Sequence, residues 1–132
     1  MSKDLRTVIV VDYQNVHLTG HGLFASTRYL PKHETLVDPL LFARTLLRER
    51  NARQRPDQPA ATLRKVLVYR GQPSSEHDSD GYARSLAQQS QWERDDRVEV
   101  TLRPLKYEYQ RDATGRPATD YAGRRIVTGP PR

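Results

Sequence analysis

Residues Thr7 to Val11 are an unbroken run of β-branched side chains, and the run stops at Asp12. A strand with one wet face alternates apolar with polar residues. This run instead predicts a strand covered on both faces, with Asp12 at its carboxyl end. Leu18 to Glu34 carries Gly20, Gly22, Pro31, His21 and His33 without periodicity and reads as a loop leaving that end. Asp38-Pro39 has the form of a helix start: an N-cap, then a proline whose missing N–H costs nothing at the first position. Leu40, Leu41, Phe42, Ala43, Leu46 and Leu47 supply the apolar face of a helix ending near Asn51.

Pro56 and Pro59 mark a connector. Lys65 to Gly71 then repeats the first strand's pattern, and strand, helix, strand predicts parallel pairing through a right-handed crossover. A second helix is expected from about Gly81 to Glu93, capped by Ser79 or Asp80. Val98, Val100 and Leu102 alternate with polar residues, as a strand near a sheet edge does. Leu105, Tyr107 and Tyr109 alternate with Lys106, Glu108 and Gln110, and Asp112 to Gly115 offers a turn. A C-terminal β-hairpin with a partner around Arg125 to Thr128 is expected. No internal repeat is read.

The length of 132 residues fits one α/β domain. Only 36% of residues are hydrophobic against 29% charged, so the apolar surplus is small. The absence of cysteine excludes disulfides and thiolate metal sites. The polar Met1 to Arg6 and the short Thr7 to Val11 run fit neither a signal peptide nor a membrane span, which predicts a cytoplasmic protein. The net charge of +6 is segregated. Arg44 to Lys65 holds seven basic and two acidic residues, Val66 to Leu102 four and seven, and Arg103 to Arg132 seven and three. Basic flanks around an acidic centre favour a polyanionic partner, although a basic surface also serves solubility alone.

An aspartate at a strand's carboxyl end stands where open α/β sheets bind ligands. With Asn15 three residues on, Asp12 suits a hard divalent cation, which takes one or two carboxylates together with waters and substrate phosphate. The same residues suit an Asx-turn that caps its own backbone. A haloacid-dehalogenase pattern needs a second Asp where Gln14 stands. A P-loop or dinucleotide fingerprint needs glycines that are absent after the first strand.

Val8-Ile9-Val10-Val11-Asp12-Tyr13-Gln14-Asn15-Val16 resembles the opening motif of NYN domains, members of the PIN-like nuclease superfamily: a hydrophobic strand, Asp, two variable residues and Asn. The order of the following elements agrees. The resemblance implies a three-layer α/β/α, Rossmann-like fold with a parallel sheet. It also implies a ribonuclease that uses Mg²⁺ or Mn²⁺ to hydrolyse RNA phosphodiesters, with Asp12 as metal ligand and Asn15 as its supporting residue. NYN domains carry further acids in a Lys-Gly-x-Asp context after the third strand's extension, and again after a fourth strand. Nothing between Arg103 and Arg132 matches, and Ile126 to Arg132 looks like the lead-in. The expectation is an incomplete domain, with an inactive RNA-binding or protein-interaction module of the same fold as the alternative. A half domain exposes a sheet edge, which predicts self-association or a partner there.

Asp78, Asp80 and Asp120 are the acids to test as substitutes, each also a natural cap or loop residue. His17, His21 and His33 match no zinc spacing. Arg70, ending the second strand, is expected beside Asp12, holding a phosphate or neutralising the acid. Tyr107 and Tyr109, next to Lys106 and Arg111, suit base stacking beside phosphate contacts or ordinary hairpin packing.

Overall fold

The computed structural model describes residues 4–14 and 37–132. It is an α/β structure with three parallel strands and two helices in the order β1 (Leu5–Asp12), α1 (Pro39–Arg53), β2 (Ala61–Gln72), α2 (Ser79–Trp92) and β3 (Val98–Pro104). The strands lie in the order β1-β2-β3, all parallel. Ile9 and Val11 sit opposite Val66 and Val68, which sit opposite Val98 and Val100. These side chains share one face, and with Ala43 of α1 and Trp92 of α2 they form the core.

Both helices cover the same face. Stepping β1 to β2 to β3 in one direction through crossovers of one hand leaves every connecting helix on one side. This corrects the expectation of a first strand covered on both faces: Ile9 and Val11 turn inward, whereas Val8 and Val10 are 47% and 63% exposed. The β-branched run reflects strand propensity, not double burial. Among the described residues the architecture is two layers, not three.

β2 begins four residues before the expected Lys65 because a bulge hides its alternation. Thr7 pairs with Leu63 and Val8 with Lys65, so Arg64 has no partner. One extra residue flips the parity of the strand. Ala61 and Leu63 before the bulge, and Val66 and Val68 after it, can therefore all face the core. On the open face Lys65 pairs with Glu99 at 2.7 Å.

Asp38 caps α1 as expected: its carboxylate accepts from the N–H groups of Leu40 (2.9 Å) and Leu41 (3.2 Å). Pro39, Ala43 and Leu47 are buried, while Leu41 and Leu46 remain exposed. The cap of α2 is Asp78, one residue before the expected Ser79, and its carboxylate accepts from Gly81 N–H at 2.9 Å. β3 is an outer strand, with Val98 and Val100 inward.

The C-terminal segment is more than a hairpin. Three antiparallel bridges join Arg111 to Pro117, Thr119 to Arg125 and Tyr109 to Val127. The N–H of Ala118 donates to Gln110 C=O, Ile126 N–H to Ala118 C=O, and Gln110 N–H to Ile126 C=O, closing a three-membered ring at eight-residue spacing. Two turns of identical form lie between these positions. Asp112 and Asp120 each accept from the N–H groups two and four residues on, and Gly115 and Gly123 each adopt φ of 79°. The chain therefore does carry an internal repeat, Asp-x-x-Gly-Arg at 112–116 and 120–124. The expected pairing with Val127 forms, but a second turn separates it from the first.

Candidate functional site

Asp12 ends β1 with its register partner Tyr69 on β2, on the open face of the sheet. Alternation makes it exposed, between buried Val11 and buried Tyr13. Tyr13 fixes the chain as it leaves the sheet. Its hydroxyl donates to Val37 C=O at 2.9 Å and accepts from Val37 N–H at 3.0 Å, tying the end of β1 to the start of α1. Its ring lies 4.7 Å from Trp92. Burial pushes the Tyr13 phenol up, while the bond to Val37 and the nearby Arg70 charge pull it down. Sequence reasoning passed over Tyr13 as a variable position of the motif. The signal was an aromatic directly after an outward acid, which alternation turns inward.

Arg70 lies on the opposite, helix-covered face. Its guanidinium carbon sits 5.1 Å over the Tyr13 ring and 5.4 Å over Trp92, and it donates to the Gln88 side chain. Burial lowers its pKa, Tyr13 raises it and Arg84 lowers it. A weakly hydrated guanidinium between two aromatic faces is a packing element as much as a charge.

Tyr107 and Tyr109 share a face and are both half-buried against His77 of the β2–α2 connection. The His77 ring is 4.6 Å from Tyr107 and 5.4 Å from Tyr109, and its Nε2 meets the Tyr109 hydroxyl at 3.0 Å. The Tyr107 hydroxyl accepts from Ser74 N–H at 3.0 Å. Arg125 stacks 4.4 Å over Tyr109 and reaches Glu76 at 2.6 Å, and that bond draws the Glu76 carboxyl below its ordinary range. Both tyrosines thus have partners that pin the C-terminal segment to the β2–α2 connection. A cleft of about 440 Å³ opens beside them, lined by Pro73, Leu105, Val127 and Pro131. Lys106 and Arg111 are exposed, and Arg111 donates to Gly115 C=O at 3.2 Å.

The described residues hold no group of three or more histidines and acids that could enclose a metal ion. A single carboxylate could hold a hard ion only if that ion kept much of its water shell. Asp78 and Asp120 are committed to a helix cap and a turn, while Asp80 lies in the first turn of α2. Asn15, His17, His21 and His33 lie outside the described residues. No helix among the described residues is long and apolar enough to cross a membrane. No protein-family model matches the chain, and no curated protein or solved structure matches it at a significant level.

Proposed function

We propose that the chain is part of a PIN-like, NYN-type domain that acts on RNA, with Asp12 contributing the first carboxylate of a Mg²⁺ or Mn²⁺ site. The observation that carries this reading is the exposed Asp12 at the carboxyl end of a parallel strand, held outward by the buried Tyr13 behind it. The Asp12-to-Asn15 motif, the strand-helix order and the basic C-terminal segment support it. Bound there, a divalent ion would activate water and neutralise charge on the phosphate under attack. The residues of this chain bind and orient: Asp12 offers a hard oxygen, Asn15 supports it through its amide, and Tyr13 ties the end of β1 to Val37.

A second reading, an RNA-binding module without hydrolysis, is favoured by the lack of an acid cluster among the described residues. The test compares the chain with Asp12→Asn for Mn²⁺ binding, followed by paramagnetic relaxation of water, and for cleavage of single-stranded RNA. Loss of Mn²⁺ binding and cleavage in the variant, with an unchanged circular dichroism spectrum, is the expected result. Mn²⁺ binding or cleavage that survives Asp12→Asn would remove the metal-ligand role. RNA binding without cleavage in the unmodified chain would select the second reading.

A further inference from the structure

The eight-residue repeat carries an unusual set of side chains. Tyr121 is 104% exposed, as open to solvent as a tyrosine in an extended chain, on a turn otherwise saturated with hydrogen bonds. Asp120 fixes that turn by accepting from Ala122 N–H at 2.9 Å and Arg124 N–H at 3.0 Å. Its own N–H donates to Arg124 C=O at 2.8 Å. The aromatic is therefore presented on a constrained backbone. A phenol ring wholly in water gains nothing for folding.

Two cations of the same repeat form no ion pair. Arg116 and Arg124 occupy equivalent places in the two turns, each directly after the positive-φ glycine. Among the described residues neither forms an ion pair. The two aspartates that would neutralise them are turned onto backbone N–H groups, and at Asp112 the Thr114 hydroxyl as well. Arg125, by contrast, is taken by Glu76 and Tyr109.

An exposed ring on the same pair of turns as unpaired guanidinium groups is the combination that grips single-stranded nucleic acid, by stacking bases and neutralising phosphates without reading sequence. We propose that this triangular C-terminal tip is a contact surface for single-stranded RNA, with Tyr121 stacking a base and Arg116 and Arg124 holding flanking phosphates. The choice of RNA over DNA rests on the function proposed above; the stacking and charge argument does not.

Fluorescence anisotropy with a labelled single-stranded RNA of mixed sequence tests this, using the whole chain. Tyr121→Ala weakens binding about tenfold, since one stacked base contributes on the order of that factor or more. Tyr121→Phe retains affinity. The double change Arg116→Ala, Arg124→Ala makes the slope of log affinity against log salt shallower by about 1.4, from about 0.7 for each single-strand phosphate contact. Tyr121→Ala leaves that slope unchanged. If the unmodified chain binds RNA but all three variants match it in affinity and salt slope, the tip is not the contact surface, and the RNA reading survives elsewhere on the molecule. If the unmodified chain binds no RNA, both proposals fall.

Discussion

At the scale of single residues, Tyr13 and Asp95 show how one side chain sets its neighbourhood. Tyr13→Phe keeps the buried ring but strips Val37 of the partner for both its N–H and its C=O. We expect a loss of about 1–3 kcal/mol, typical of leaving part-buried polar groups unpaired, read as a lower urea midpoint. Asp95 lies in the turn before β3. Its Oδ1 accepts from the Arg97 N–H and Nε, and its Oδ2 from Nη2, all at 2.9 Å. The Arg97 guanidinium, then its backbone N–H, draw the carboxyl down to about 2. A carboxyl with a depressed folded value stabilises above its unfolded value, near 3.9, and loses that contribution as pH falls toward 2. Asp95→Asn should therefore flatten the acid limb of stability between about pH 4 and pH 2, measured by thermal melts across that range. Asp12 and the Asp38-Pro39 cap are legible from residue type alone, because capping and strand termination are local. Tyr13 is legible only once the direction of the residue before it is taken seriously.

At the scale of elements, what can be read in sequence depends on whether an element's pattern survives its irregularities. α1 and β3 keep theirs, and their limits agree with the sequence to within a residue or two. β2 does not, since the extra residue at Arg64 inverts the inward set halfway along and only the later half looks like a strand. The strand-order consequence, two helices on one face, cannot be seen in β1, whose run would suit either arrangement. The C-terminal repeat was present as Asp-x-x-Gly-Arg, but its period of eight is too short for a repeat of whole supersecondary units. The repeat has a sharp test. Arg111 pairs with Pro117, Thr119 with Arg125 and Tyr109 with Val127. Removing residues 113 to 120 brings Asp112 against Tyr121, so Arg111 faces Arg125 and the Tyr109 to Val127 pairing keeps its register. That deletion should fold as a plain hairpin with the tyrosine contacts to His77 intact, visible as unchanged ring-proton shifts. Removing 113 to 119 shifts the pairing by one residue, turns the side chains to the other face and should lose those shifts.

At the scale of the whole molecule, the one-sided sheet leaves Val8 and Val10 exposed on its open face, and β1's outer edge pairs with no strand among the described residues. Concentration-dependent self-association is expected, and Val10→Lys should reduce it in sedimentation velocity without lowering the urea midpoint. A species that stays monomeric at every concentration would contradict this. The same architecture gathers the core around Trp92, 8% exposed, close to Tyr13 just after β1 and Arg70 from β2. It is the chain's single tryptophan. All indole emission therefore has one source, and that source touches the residue that ties the end of β1 to the start of α1. The protein carries its own optical gauge: any event that lifts Tyr13 from its seat changes the colour and yield of one fluorophore, with no label attached.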